Sequence, residues 1–311
     1  MTLHARPYRD PADLAAMRRL LMDGQRANPA GSYMHPGLLD WAIHYPPDER
    51  AFQRDLRLWE QADGQAPALA AWAFCYEHEG SFDVFVHPAH YGTDAHEAVM
   101  DEYVAWAEAR AREAGLKHIW PWWAMADDAV LDRLMRARGY VVDPAEPAAP
   151  LFGRALEALP EAPLPAGFTL QTVRTLADGE QRARVTHAAF RPRFDWARAW
   201  DEFMGYMRSD VYDGERDLLV LAPDGRGAAM CTIWFDPVNA VGLFEPVATH
   251  PDFQRRGLGR AVMAEGLRRM RAAGMTRAVL GFDPRNAPAR ALYTSLGFAA
   301  VRYFSTARKQ L

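Results

Sequence analysis

Two glycines and three arginines crowd one short run, Arg255-Arg256-Gly257-Leu258-Gly259-Arg260. It joins an apolar stretch from Phe244 to Thr249 to an amphipathic one marked by Val262, Met263, Gly266, Leu267 and Met270. A helix that begins at Gly257 or Leu258 leaves its first backbone N–H groups unpaired, and these carry the positive end of the helix dipole. Phosphate is the ligand that such an end attracts. Gly257 lets backbone approach a bulky anion without a Cβ in the way, and Gly259 keeps the first turn bare where a pyrophosphate can lie. The arginines add long-range charge and guanidinium donors. The spacing is neither the dinucleotide GxGxxG nor a loop ending in GKS or GKT. A surface helix with a basic first turn is the other reading, but arginine at the positive end of a helix is locally unfavourable.

The run VATHPDFQRRGLGRAV resembles the acyl-CoA-binding segment of the GNAT superfamily of N-acetyltransferases, Q/R-x-x-G-x-G/A after a strand, with Gln254, Gly257 and Gly259 in the signature positions. Downstream, NAPARALYTSLGF (Asn286 to Phe298) is similar to the second signature of that family, an Asn seven residues before a Tyr and then Gly-Phe. The resemblance implies that Val247, Ala248 and Thr249 pair with a pantetheine arm as an extra strand and offer an N–H to the thioester oxygen. It implies that Arg255, Arg256, Gly257, Leu258, Gly259 and Arg260 hold the pyrophosphate of acetyl-CoA, and that Tyr293 is the general acid for the leaving thiolate. Asn286 either bonds the pantetheine or simply caps a helix that has Pro288 in its first turn. Tyr293 also reads as a core tyrosine, flanked by Ala289, Leu292 and Leu296 at helical spacing.

Glu245 is the candidate base, a strand carboxylate at the expected slot that can take the amine proton directly or through water. His250 and His187 are weaker candidates. Pro246 has no N–H, which fits a broken ladder or bulge that splays this strand from its neighbour and opens a slot. Protein N-terminal acetyltransferases of the superfamily can carry a glutamate five residues before the Asn; here that position is Gly281, which argues against that type. The acceptor side falls to Phe190, Phe194, Trp196, Trp200, Phe203 and Tyr206, which are either core or an apolar pocket. Asp195, Asp201 and Glu202 are the alternative receivers of a cationic amine.

The elements that must position these groups occur twice. FTLQTVR is a strand, Asp178 to Phe190 and Trp196 to Met207 are helical, and DLLVLAP pairs with AAMCTIWFDP across Asp224-Gly225. The strand into Pro251, the glycine-marked helix, RAVLGF and a helix stopped by Gly297-Phe298 follow. In the first half, His4 to Tyr8 form a strand and Leu14, Met17, Leu20 and Leu21 a helix. A second helix is expected through Phe52, Leu56 and Trp59. ALAAWAFCYEHEG and SFDVFVHP then form a hairpin with its turn near Gly80. Val99, Tyr103, Trp106 and Ala107 mark a long helix, and Leu131, Leu134 and Met135 another. VHP at Val86 aligns with THP at Thr249, and LMRARGY at Leu134 with LYTSLGF at Leu292. These are two copies of one unit, an arrangement similar to the tandem GNAT proteins, the mycothiol synthases among them.

The expected fold is therefore α/β of the α+β kind: two tandem GNAT-like domains, each a mixed, mostly antiparallel sheet flanked by helices with a splayed central strand pair. Residues 1–157 form a degenerate copy, a scaffold or one wall of the acceptor site, because HPAHYGTDAHEA keeps one glycine, no arginine and Asp94 near the helix start. Residues 158–311 form the acyl-CoA-binding copy. DPAEPAAP from Asp143 and PEAPLPAG from Pro160 read as the connection.

With 311 residues, half of them apolar, the chain can bury a large core, and a formal net charge of -4 argues against a nucleic-acid partner held by bulk charge. No run has the length of a membrane span and no leader is evident, so a cytoplasmic protein is expected. Cys75 and Cys231 lie in apolar runs as inert thiols, and the ten His show no metal-ligand spacing, so no metal is implied. The leading expectation is transfer of an acetyl group to the primary amine of a small molecule in a ternary complex, by a monomer whose copies pack together. Transfer to a protein or peptide amine is the alternative, and a non-catalytic acyl-CoA-binding or interaction module is the alternative of another class.

Overall fold

The computed structural model describes residues 3–44, 55–61, 68–76, 80–193 and 195–311. Its first half runs β1 (Leu3–Pro7), α1 (Pro11–Ala27), α2 (Pro36–His44), β2 (Arg57–Gln61), β3 (Ala68–Tyr76), β4 (Ser81–Val86), α3 (Asp94–Glu113), β5 (His118–Pro121), α4 (Ala129–Ala137) and β6 (Val141–Val142). The first half ends with β7 (Pro150–Ala155), and the second half runs β8 (Thr169–Thr172), α5 (Leu176–Phe190), α6 (Trp196–Met207), β9 (Asp217–Leu221), β10 (Gly227–Asp236), β11 (Val241–Thr249), α7 (Leu258–Ala272), β12 (Arg277–Gly281), α8 (Ala287–Ser295), β13 (Ala299–Tyr303) and β14 (Ala307–Gln310).

Local chemistry sets many of the boundaries. Asp10 caps α1 by accepting from Ala12 N, with Pro11 in the first turn, and Leu14, Met17, Leu20 and Leu21 form the buried face. Thr175 and Asp178 make a reciprocal capping box at the start of α5, and Asp195 caps α6. The centre of β3 is apolar and buried without alternation, as befits a strand covered on both faces.

Two seven-stranded sheets result, in the orders β1-β2-β3-β4-β5-β14-β6 and β8-β9-β10-β11-β12-β7-β13. Every pairing is antiparallel except β4 with β5 and β11 with β12, which are parallel and occupy the same place in each sheet. The sixth position of each sheet is filled by a strand from the other half of the chain. β7 lies between β12 and β13, with Phe152 opposite both Leu280 and Ala300. β14 lies between β5 and β6, with Lys309 opposite Ile119 and Ala307 opposite Val142. Arg302 anchors the crossing: its guanidinium meets Asp127 at 2.6 Å and donates to the carbonyls of Ala30 and Gly31 at 2.6 and 2.9 Å.

The halves also share a core. Leu14, Trp72, Phe74, Phe85 and Trp123 of the first half pack in one buried cluster with Ala183, Phe203, Tyr206, Trp234 and Leu243 of the second. Buried polar contacts cross the same seam, His35 Nε2 meeting the Val241 carbonyl at 3.1 Å and Asn239 Nδ2 donating to the Met22 carbonyl at 3.0 Å.

Three expectations need correction. The helix through Phe52, Leu56 and Trp59 does not extend to Trp59, which lies in β2 opposite Ala71, buried against Tyr103; Phe52 lies outside the described residues. The division at 157/158 describes the chain but not the sheets, because β7 and β14 each serve the opposite copy. The proline-rich stretch from Asp143 is not a loose connection: Asp143 and Glu146 pair with Arg308 at 3.3 and 3.4 Å, and Glu146 also pairs with Arg285 at 2.7 Å.

Candidate active site

β11 carries the centre of the site. It pairs with β10 as Ala229↔Thr249, Met230↔Ala248 and Cys231↔Val247, then resumes at Ile233↔Phe244, so Glu245 and Pro246 form the bulge expected at Pro246. On its other side, the parallel pairing with β12 ends at Leu243↔Val279. Val247, Ala248 and Thr249 are thus laddered to β10 alone, and the sheet opens beyond Leu243. The bulge is locked by Trp234, whose indole N–H donates to the Glu245 carbonyl at 2.7 Å.

A short turn at Pro251–Phe253 leads from β11 to α7. Gly257 is the N-cap of α7 at φ +79, a left-handed conformation that costs glycine little, and no side chain caps this helix, whereas α1, α4, α5, α6 and α8 all have side-chain caps. Arg255 adopts φ +62 without being glycine, a conformation that costs about 1–2 kcal/mol. Arg255, Arg256 and Arg260 are exposed, and none forms an ion pair among the described residues. Arg256 lies over the Phe253 ring at 5.5 Å, and Arg260 reaches the Glu161 carbonyl at 3.4 Å. An uncapped helix end ringed by three unpaired guanidinium groups fits a polyphosphate. Gly259 has a packing reason of its own: a Cβ there would sit 3.2 Å from Thr249 Oγ1 and 3.3 Å from Leu292, so the glycine lets α7 close onto β11 and α8.

Glu245 and Tyr293 are near enough for the charge of the carboxylate to act on the phenol. The Glu245 carboxylate has neither a hydrogen bond nor an ion pair among the described residues, and burial pushes its pKa from 4.5 up to about 7, partly offset by the Arg182 guanidinium. Tyr293, on α8, is buried against Phe282 and Phe298 with ring centroids 5.3 and 6.4 Å away. Burial and then the Glu245 charge raise its phenol above the ordinary value of 10, so it holds its proton at neutral pH, and its hydroxyl is unbonded among the described residues. Asn286 caps α8 by accepting from Ala289 N at 3.1 Å. His250 caps the turn after β11, accepting from Asp252 N at 3.2 Å, and His187 stacks edge-on against Trp196.

Glu245 also lines a cavity of about 760 Å³ at the seam between the two halves. Of the second-half aromatics named from sequence, Phe203 and Tyr206 are core and Phe190 is exposed, and none of the described ones lines this cavity. Asp195 is spent on capping α6, and Glu202 on ion pairs with Arg191 and Arg198 at 2.8 and 2.9 Å. The first half supplies the aromatic wall instead: Trp41, Tyr76, Trp120, Trp122 and Trp123. The run HIWPWW held a signal for this, three tryptophans in four residues where a strand ends, a density that a buried strand does not require.

In the first half the parallel pair holds two residues further along before it parts. β4 and β5 pair at Ser81↔Trp120 and Phe82↔Pro121, the Trp122 N–H donates to the Phe82 carbonyl at 3.0 Å, and Asp83 takes the next N–H. By the VHP and THP alignment Phe82 stands where Glu245 does, and Met135 stands where Tyr293 does; both are buried in the first-half core. The first turn of α3 carries Asp94 and Glu97 in place of the arginines of α7. Among the described residues no group of three His, Cys, Asp or Glu is placed to hold a metal ion, and no helix is long and apolar enough to cross a membrane.

Residues 171–298 match the acetyltransferase (GNAT) family model. The chain is 29% identical over 234 residues to the mycothiol acetyltransferase of Saccharomonospora viridis, covering 70% of this chain and 71% of that one. It is 27% identical over 285 residues to the mycothiol acetyltransferase of Arthrobacter sp. strain FB24, covering 88% and 80%. Among solved structures, a tandem GNAT protein from the clavulanic acid biosynthesis pathway superposes with a TM-score of 0.64 at 15% identity, over 99% of this chain and 98% of that one, a likeness of fold.

Proposed function

This chain is a GNAT acetyltransferase built of two tandem GNAT domains, and from that premise we propose that it transfers the acetyl group of acetyl-CoA to the primary amine of a small molecule by direct attack in a ternary complex. The observation that carries the reading is Glu245, a carboxylate without a partner among the described residues, its pKa raised to about 7, between the opened sheet and a cavity large enough for a small acceptor. That the similar proteins bear the name mycothiol acetyltransferase supports a small acceptor rather than a protein.

The co-substrate supplies a thioester, an acyl carbon already activated for attack. On this reading the chain does the rest. Val247, Ala248 and Thr249 offer the unladdered edge of β11 to the pantetheine arm and an N–H to the carbonyl oxygen. Arg255, Arg256 and Arg260, with the N–H groups of the first turn of α7, hold the pyrophosphate. Glu245 takes a proton from the amine as the new C–N bond forms, and Tyr293 gives its proton to the sulfur as the C–S bond breaks. Asn286 contributes by starting α8 and so placing Tyr293. The first half acts as a wall of the acceptor site rather than a second donor site, because Phe82 and Met135 lack the proton-transfer groups of their counterparts. The shared core suits a monomer.

Thiol release from acetyl-CoA in the presence of a panel of amines tests the proposal. Amine-dependent release that falls at least a hundredfold in Glu245→Gln is the expected result. An amine-dependent rate that Glu245→Gln leaves unchanged overturns the assignment of the base, and binding of acetyl-CoA with no transfer to any amine overturns the reaction.

A further inference from the structure

We infer that the acceptor is a primary amine carried on a flat, apolar ring, an arylalkylamine with no carboxylate or phosphate of its own; the inference rests on the transfer reading above and names its substrate class. Three features of the seam cavity lead there. Its wall is strongly aromatic: Trp41, Tyr76, Trp120, Trp122, Phe282 and Phe304 approach from five segments of the chain. Several of these rings are braced in edge-on contacts, Trp122 against Tyr76 at 5.8 Å and Phe304 against Trp123 at 4.9 Å, so their faces are held in place rather than free to collapse inward. Fixed aromatic faces favour stacking with a flat ring and offer few hydrogen bonds to a polyhydroxylated one.

The charges of the wall give the second feature. Arg191, Arg285 and Arg308 all border the cavity, and each already has a carboxylate: Glu202 at 2.8 Å, Glu146 at 2.7 Å, and Asp143 at 3.3 Å. An acceptor bearing an anion would meet guanidinium groups whose charge is already matched by a carboxylate, so it gains less from them than from an unpaired cation. On the acidic side, Glu146 is held by Arg285 and Arg308, and Asp283 accepts the Arg285 backbone N–H at 2.8 Å. Glu245 alone among the described carboxylates of the wall has no partner, so the cavity presents one site for one amine.

The third feature is how firmly the Trp120–Trp123 segment is fixed. The Trp120 and Trp122 N–H groups donate to the Gly80 and Phe82 carbonyls, each at 3.0 Å, and the Trp123 N–H is held by the buried Asp83 carboxylate at 2.8 Å. A pre-formed wall binds a rigid ring without an ordering cost.

The test compares 2-phenylethylamine, phenylalanine and glucosamine as acceptors with acetyl-CoA. The expected order puts the arylalkylamine at least about thirtyfold ahead in kcat/KM, a discrimination that a stacked ring and an unmatched carboxylate can supply together. Trp122→Ala, and separately the half-exposed Trp120→Ala, which tolerates truncation better, should raise KM for phenylethylamine about tenfold while kcat and acetyl-CoA affinity stay within twofold. Glu245-dependent acetylation of glucosamine or phenylalanine in preference to phenylethylamine overturns this substrate class and leaves the transfer reading standing. No acetylation of any amine overturns both. An unchanged KM in both tryptophan variants overturns the role of the aromatic wall.

Discussion

The Asp83 carboxylate holds the backbone N–H of Trp123 with both oxygens, at 2.8 and 3.0 Å, inside the first sheet where its parallel strands part. Burial raises the Asp83 pKa well above the usual carboxylate value, so the group stays at this post in spite of desolvation because it is hydrogen-bonded. The same contact fixes Trp123 in the wall of the seam cavity, which is the proposed acceptor site. Asp83→Ala strands a buried N–H and should cost about 1–3 kcal/mol, read from urea midpoints. It should also raise KM for the amine while acetyl-CoA affinity stays within twofold, a split that a purely global loss of stability would not produce.

In the proposed mechanism Glu245 sets the pH dependence. The folded protein keeps its proton up to about pH 7, whereas the unfolded chain releases it near 4.5. Stability therefore declines as pH rises from 4.5 to 7 and stays lowered above. A base must be ionised, so kcat/KM for an amine that does not titrate in this range should rise through pH 7. Glu245→Gln should lose this limb, slow turnover about 10²–10³-fold, and melt above the wild type at pH 8 but with it at pH 4. A wild-type profile that is flat from pH 5.5 to 8.5 would show that another group limits the rate.

Tyr293 separates a catalytic from a packing role because its hydroxyl is unbonded among the described residues while its ring is packed on Phe282 and Phe298. Tyr293→Phe keeps the ring and gives up no hydrogen bond among them. Its melting temperature should match the wild type within about 1–2 °C, with kcat lower by about a hundredfold and acetyl-CoA affinity unchanged. Equal kcat in the variant assigns Tyr293 to the core.

The features from which the donor site is proposed could be read along the chain because they are local. Gln254 to Arg260 and Asn286 to Tyr293 are single runs whose glycines, arginines and cap act within one turn, and the bulge at Pro246 follows from a missing N–H. What could not be read depends on partners far apart in sequence. Leu151-Phe152 and Ala307-Arg308 are short runs with nothing in them to say which sheet they join. Trp59 follows an apolar pattern too brief to tell strand from helix, and its place in β2 is decided by Ala71 and Tyr103. The acceptor wall draws Trp41, Tyr76 and Trp122 from three segments, so no window of sequence contains it. The packing of Thr249 and Leu292 against Gly259 likewise joins residues from three elements, so the sequence reading of that glycine as part of a phosphate loop had no view of it.

Arg256 tests the phosphate end of the site. It is exposed and free of carboxylates among the described residues, so Arg256→Glu disturbs little in the fold while placing a negative charge beside the uncapped start of α7. Acetyl-CoA affinity measured by calorimetry should fall at least tenfold, and the loss should shrink in 0.5 M salt, about where screening reaches a few ångströms. An unchanged affinity would remove the pyrophosphate from this helix end.

The exchanged strands make a prediction about the two halves of the chain. Residues 1–157 expressed alone contain β7 but lack β14, so β5 and β6 have no strand between them; residues 158–311 contain β14 but lack β7, so β12 and β13 are parted in the same way. Each fragment would also expose the face it buries in the shared core. Neither half should give a cooperative thermal transition by itself, and a mixture of the two should regain one along with amine acetylation, because every missing strand is supplied in trans. Deleting residues 306–311 from the full chain is the narrower version. It removes β14 and with it Thr306, Ala307 and Arg308 from the cavity wall, so stability and amine KM should worsen together while the acetyl-CoA end of the site, built on β11 and α7, keeps its affinity. A separate 158–311 fragment that folds cooperatively and turns over at the wild-type rate would mean that the exchange is dispensable.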